Sequence, residues 1–237
     1  AATQHEPQSQ SQSQSQSHSE PEPEPEPQPE SAVLAAYFQA RTLDVVELEK
    51  REALRQHLET VLRSNSSLQG ASLSIFGSST NSLGTRDCDI DLCLDVPGRG
   101  GSKQQQRQLC VTAQGVLHAA GYTSATAVPA ARVPIVKFND PRTDLRCDLC
   151  FFNTPAVYNS RMLRQYMRID PRVRLLALAV KHWAKTRVVV GTRNGFLSSY
   201  ALVLLVVFFA QQHGLLPSLS HDQSSSSDTP RAVAAWH

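Results

Sequence analysis

Residues 77 to 94 read GSSTNSLGTRDCDIDLCL, and this stretch restricts the chain more than any other. A Gly77-Ser78 pair is followed, after ten residues, by Asp89-Ile90-Asp91-Leu92. On a β-strand, side chains at i and i+2 share a face. Asp89 and Asp91 would then project together while Ile90, Leu92 and Leu94 pack behind them. Paired carboxylates repel unless a cation lies between them, and Mg2+ favours a few carboxylate oxygens together with substrate phosphates. Gly77-Ser78 is expected to end a strand, Ala71–Phe76, and lead into a short helix. Glycine lets a phosphate approach the backbone, and N–H groups at a helix start bind anions. The competing reading is a charged edge strand beside a serine-rich loop. A second strand, Leu145–Phe152, weighs against it by carrying one acid, Asp148, in an apolar run. A buried Asp without a partner is costly, and a third carboxylate completing a metal site accounts for it.

With these residues in view, the chain resembles the DNA polymerase β-type nucleotidyltransferase superfamily. Within it, the chain is most similar to the cytoplasmic-type poly(A) polymerase and terminal uridylyltransferase family. The Gly-Ser pair, the Asp-Ile-Asp-Leu run and the Cys147-Asp148-Leu149-Cys150-Phe151 strand carry the likeness. So do Pro155 to Ser160, Asp170-Pro171-Arg172-Val173-Arg174, Lys181-His182-Trp183-Ala184-Lys185 and Phe196-Leu197-Ser198-Ser199-Tyr200, in the same order, over about residues 33 to 219.

The resemblance implies an α+β fold: a nucleotidyltransferase domain with a mixed β-sheet flanked by helices, plus an incomplete all-helical second domain, with the active site between them. It implies transfer of AMP or UMP to an RNA 3′ end, without a template, by a mechanism using two ions of Mg2+ or Mn2+. Asp89, Asp91 and Asp148 would be the metal-binding and catalytic set. Asp87 and Asp95 share the face parity, but the Gly-Ser offset and the family pattern favour 89 and 91. Gly77, Ser78, Lys181, Lys185, Ser199 and Tyr200 would bind the triphosphate and base of ATP or UTP, and Asn159 and Ser160 the ribose. Lys181 and Lys185 are four apart, one above the other on a helix. Trp183 would point away from them into the core. Arg132 and Lys137 flank Pro134 near the cleft as weaker RNA-binding candidates. Arg161, Arg164 and Arg168 read as a solvated face. The expected partners are an RNA 3′ end, a nucleoside triphosphate and a protein adaptor for RNA targeting, with no membrane.

Composition agrees in sign. The first thirty residues are Gln-Ser and Glu-Pro repeats holding six acids and no Lys or Arg, which leaves 15 acids against 23 bases in the remainder. The net charge of +2 thus conceals a basic folded part, which suits a polyanion. Five cysteines, an odd number, point to a reducing compartment: cytoplasmic, with nuclear or mitochondrial as alternatives. Cys147 and Cys150 do not read as a zinc pair, because i and i+3 on a strand face opposite ways.

Along the chain, residues 1–31 are expected to be a disordered low-complexity tail. Residues 64–153 form the catalytic domain, and 32–63 with 154–216 the helical domain. Residues 217–237, without apolar periodicity, form a second disordered tail. Family members continue beyond this point with elements that complete the base pocket, so the chain is expected to be a fragment or a divergent product, weak in base selection. The outer face of helix 197–213, with Leu202, Leu205, Val206 and Phe209, is expected to lie exposed and to promote self-association. Two other functional classes stay open: a catalytically weak or silent RNA-binding relative with a truncated helical domain, and a nucleotidyltransferase acting on a small molecule or a tRNA end. The Lys-x-x-x-Lys and Leu-Ser-Ser-Tyr elements weigh against the last.

Overall fold

The computed structural model describes residues 29–99, 101–191 and 195–217. Most of both expected tails lies outside these residues. Helix α1 (Glu30–Gln39) takes up the last two residues of the first tail. The other helices are α2 (Val45–Arg63), α3 (Lys103–Ala119), α4 (Thr154–Ile169), α5 (Pro171–Thr186) and α6 (Ser199–Gln212). The strands are β1 (Ser72–Phe76), β2 (Ile90–Asp95), β3 (Thr126–Val128), β4 (Ile135–Asn139) and β5 (Arg146–Phe151). They form one mixed sheet in the order β1-β2-β5-β4-β3. Only β2 and β5 run parallel; the other neighbours are antiparallel. The α+β class that the resemblance implies is the one observed.

Local chemistry sets the element ends. Asp44 caps α2 by accepting the Glu47 amide, and Ser102 with Gln105 forms a capping box on α3. Asp170 caps α5, with Pro171 at its first position. Gly121, at φ +91, closes α3 in the left-handed region. Asn153 precedes α4, with Pro155 in its first turn, and the Ser198 hydroxyl caps α6 by accepting the Ala201 amide.

The two faces of the sheet have different fates because the strand period is two. Ile90, Leu92 and Leu94 face the main core, together with Leu73, Val136, Phe138, Cys147 and Leu149. That core is closed by Leu54, Leu58 and Leu62 of α2 and by Leu109, Ala113 and Leu117 of α3. Cys93 and Cys150 lie on the opposite face, packed with Val157 of α4. Cys147 and Cys150 therefore do point apart. A second core joins Phe38 of α1 to Leu163 and Met167 of α4, Val173, Ala177 and Leu178 of α5, and Val203, Val206 and Val207 of α6.

This division corrects the expected grouping of residues 32–63. Helix α1 packs with the helical layer, but α2 belongs to the sheet layer, since its leucine seam is buried in the sheet core. Trp183 is also corrected: it is 55% exposed, because α5 spends its buried face on Val173, Ala177, Leu178 and Ala184. On α6, Val206 is buried and Leu202 half-buried, while Leu205, Phe208 and Phe209 are exposed. The apolar outer face exists, but it is rotated from the expected one.

Leu58 sits at the middle of the α2 seam at 1% exposure. Leu58→Ala is expected to destabilise the protein by about 2–5 kcal/mol through lost burial and a cavity. Urea unfolding should show a lower midpoint at unchanged slope.

Candidate active site

Register, rather than sequence proximity, assembles the site. Asp91 pairs with Phe76 of β1 on one side and with Asp148 of β5 on the other. Asp148 pairs in turn with Lys137 of β4. One row across the sheet therefore reads Phe76, Asp91, Asp148, Lys137, with neighbouring side chains on one face. This face lies under α4, opposite the α2 and α3 core.

The three acids experience different surroundings. The Asp91 carboxyl is pushed up to about 7, first by burial and then by the negative charges of Asp148 and Asp89. Asp148 is ion-paired with Lys137. Asp89 lies one residue before β2, half exposed, and Arg146 donates to its carboxylate at 2.6 Å. The expected meeting of three carboxylates is thus only partly formed. Asp91 and Asp148 are adjacent, while Asp89 and Asp148 turn toward cations of the chain itself. Among the described residues, no three acid, His or Cys side chains stand close enough to hold an ion as they lie. Chemically the set still suits a hard divalent ion: all donors are carboxylate oxygens, and Asp91 and Asp148 stand side by side on neighbouring strands.

Gly77 is required beside this row. Its φ is +69, and a β-carbon there would lie 2.1 Å from Asp91 Oδ2 and 3.0 Å from its Cγ. The expected short helix is a three-residue 3-10 turn, Gly77–Ser79. The Gly77 amide is not free for an anion, because it donates to Ser160 Oγ at 2.8 Å. Ser160 Oγ donates to the Ala156 carbonyl at 2.7 Å. Ser160, expected to read a ribose, is 6% exposed and fastens the loop to α4.

Above Asp91 opens a cavity of about 340 Å³. Gly77, Ser78, Asn159, Ser160, Lys181, Ser199 and Tyr200, all expected nucleotide residues, line it, with Asp91 at its floor. Lys181 donates to Ser78 Oγ at 3.1 Å and to the Leu83 carbonyl at 2.8 Å. Burial pulls its ammonium below the usual lysine range. Lys185 is outside the lining: its ammonium pairs with Asp87 at 2.8 Å, and both side chains are largely exposed. That pairing is the first cause holding the Asp87 carboxyl down at about 2, with the Thr85 hydroxyl second. The expectation that Lys181 and Lys185 enter one pocket is not met in this arrangement. The RNA candidates separate as well. Lys137 is taken up by Asp148, while exposed Arg132 receives a hydrogen bond on its carbonyl from Lys103. Sequence reasoning missed Asn81, Ala156 and Leu163 in the cavity wall, and Arg146 and Lys137 as partners of the acids. Nothing along the chain marks these pairs, since each depends on strand register.

The sequence pattern of the family described as poly(A) RNA polymerase, mitochondrial-like, central palm domain matches residues 31–168. The chain belongs to that family. It is 32% identical over 197 residues to terminal uridylyltransferase 7 of Homo sapiens, covering 81% of this chain and 13% of that protein. It is 35% identical over 176 residues to poly(A) RNA polymerase cid11 of Schizosaccharomyces pombe, covering 73% and 36% respectively. Among solved structures, the Cid1 poly(U) polymerase with Mg and 3′-dATP bound superposes with a TM-score of 0.65 at 28% identity, over 76% of this chain and 54% of that one. The chain thus spans little more than a third, or less, of these curated relatives. The mixed sheet and flanking helices are the palm fold of the family.

Gly77→Ala is expected to cost about 1–3 kcal/mol through its left-handed backbone. Its larger effect should be on the site, because the new methyl displaces the Asp91 carboxylate; any nucleotide transfer by the chain should fall at least about 100-fold. Steady-state transfer measured beside thermal unfolding separates the two effects.

Proposed function

We propose that this chain carries the catalytic core of a template-independent RNA 3′-end nucleotidyltransferase that takes ATP or UTP. The supporting observation is the cross-strand pair Asp91–Asp148, of which Asp91 forms the floor of a cavity lined by Ser78, Lys181, Ser199 and Tyr200. In this reading Lys181 and Ser78 hold the triphosphate by charge and hydrogen bonds. Tyr200, at 39% exposure on the cavity wall, offers its ring to the base. Asn159 faces the ribose. Asp148, beside Asp91 in the row, orients the RNA 3′-hydroxyl for attack on the α-phosphorus, with pyrophosphate leaving. Two divalent ions, Mg2+ or Mn2+, held by Asp89, Asp91 and Asp148, would supply Lewis-acid activation of the hydroxyl and neutralise the leaving group. Asp89 and Asp148 must turn from Arg146 and Lys137 to take part. The released cations, with Arg132, then face the approaching RNA backbone.

Domain limits follow the packing in this reading, with α2 to β5 as the catalytic unit and α1 with α4 to α6 as the second wall. The five free thiols suit a reducing compartment. Among the described residues, no helix is long and apolar enough to cross a membrane. A second reading, a silent RNA-binding relative, draws on the same ion pairs, since Arg146 and Lys137 already neutralise two of the acids.

Incubation of a short oligo(A) RNA with Mg2+ or Mn2+ and each triphosphate in turn, read on a sequencing gel, decides between the readings. Extension is expected with ATP or UTP. Binding of RNA without extension under any condition would select the silent relative. Asp89→Ala, Asp91→Ala and Asp148→Ala should each abolish extension while leaving the fold intact. Survival of more than about a tenth of wild-type transfer in Asp91→Ala would sink the metal-site assignment.

Lys181→Ala should raise the nucleotide KM about tenfold or more, the effect of losing a charge-assisted contact. RNA binding, titrated separately, should stay within about twofold by the same argument. Weakened RNA affinity at unchanged nucleotide KM would move Lys181 to the RNA path.

A further inference from the structure

The buried seam of α2 runs Arg51, Leu54, Leu58, Leu62, at helical spacing. Its first position holds a guanidinium where the other three hold leucine. Arg51 is 1% exposed. A buried charge is weak evidence for stability, since replacing it by an apolar residue of similar volume is often neutral or stabilising. Its presence in a leucine seam calls for another account.

Its contacts supply one. Arg51 Nη1 donates to the carbonyl and carboxylate of Glu47, at 3.2 and 3.0 Å. Arg51 Nη2 forks between the carbonyls of Arg86 and Cys88, each at 3.4 Å. Arg51 Nε is buried without a partner. The two carbonyls flank Asp87, and Cys88 immediately precedes Asp89, from which the chain enters β2. The same segment is strapped to the α1–α2 junction. Arg86 N donates to the Arg41 carbonyl at 3.0 Å, Leu43 N donates to the Gly84 carbonyl at 3.1 Å, and Thr42 bridges Thr85. Arg51 reaches farthest along this strap, to the residue beside the first acid. The planar guanidinium holds Glu47 with one terminal nitrogen and both carbonyls with the other, a division that a single ammonium does not reproduce.

We infer that Arg51 is a positioning residue: from inside the core it fixes the Asp87–Asp89 segment so that Asp89 is presented beside Asp91 for a divalent cation. This rests on the function proposed above. Glu47 does not depend on Arg51 for its charge, because Lys50 also pairs with it at 2.7 Å. Substitution of Arg51 therefore leaves no bare carboxylate behind.

The test compares the wild-type chain with Arg51→Met, which keeps length and apolar packing, and Arg51→Lys, which keeps the charge. Four quantities are read: Mn2+ binding by electron paramagnetic resonance, amide exchange of residues 84–90, kcat with nucleotide KM, and the thermal midpoint. In Arg51→Met, Mn2+ binding should weaken about tenfold, the scale for losing a group that orients a metal ligand. The amides of 86–90 should exchange about tenfold faster as the segment opens locally. The kcat should fall about tenfold or more with nucleotide KM within about twofold, and the thermal midpoint should hold or rise. Arg51→Lys should recover part of both kcat and Mn2+ binding. Wild-type Mn2+ binding and turnover in Arg51→Met would overturn the proposal. So would losses in both variants that merely track the unfolded fraction, which would assign Arg51 to stability. A wild-type chain that neither binds Mn2+ nor transfers nucleotide overturns the function itself, and the wild-type arm tells that outcome from a failure of Arg51 alone.

Discussion

Asp91 beside Asp148, one residue from each of two parallel strands, is the constraint around which the molecule is arranged. Like charges opposite one another destabilise a sheet. Burial pushes the Asp91 carboxyl up to about 7, and the neighbouring charges of Asp148 and Asp89 add to the shift. The surroundings are arranged to bear this. Gly77 leaves room for the carboxylate where a side chain would collide with it. Lys137 and Arg146 take the outer acids. The pleat sends Ile90, Leu92 and Leu94 into a core dense enough to hold the strand in place. The parallel pairing of β2 with β5 is also what requires a crossover between them, and α3 with the β3–β4 hairpin provides it.

Much of this was legible in the chain because two periods are unambiguous. The alternation of acid and aliphatic from Ile90 to Asp95 marked the face of β2 and the direction of its carboxylates. The Asp-Pro start of α5 and the glycine after α3 marked helix ends by chemistry that acts within a few residues. Seven of the eight nucleotide residues that the resemblance implied line one cavity, brought together from a turn and three helices.

What was not legible depends on partners distant in sequence. Arg146 and Lys137 meet acids 57 and 11 residues away, through a register that no local pattern specifies. The membership of α2 in the sheet layer could not be told from its leucines, which would have packed equally well on helices. Trp183 looked like core because it is large and apolar, but helical phase puts it on the outer side of α5. Arg51 was hidden by its type. A charged residue on a helix is ordinarily read as surface, and only its phase with Leu54 and Leu58 hinted otherwise.

The loop from Gly77 to Cys88 is gripped from both layers. Ser160 and Lys181 hold its early part from α4 and α5, and Arg174 donates to the Ser82 carbonyl at 3.0 Å. The α1–α2 junction and Arg51 hold its later part. The floor of the cavity is for that reason a fixed datum, with little compliance of its own. Any adjustment to an incoming molecule falls to the opposite wall, where Ser199 and Tyr200 sit in the first turn of α6, secured by the Ser198 hydroxyl. In the proposed reaction such a cleft would work like a vice with one stationary jaw: alignment of the reacting atoms would be referred to the sheet, and tolerance for different bases would reside in the helix.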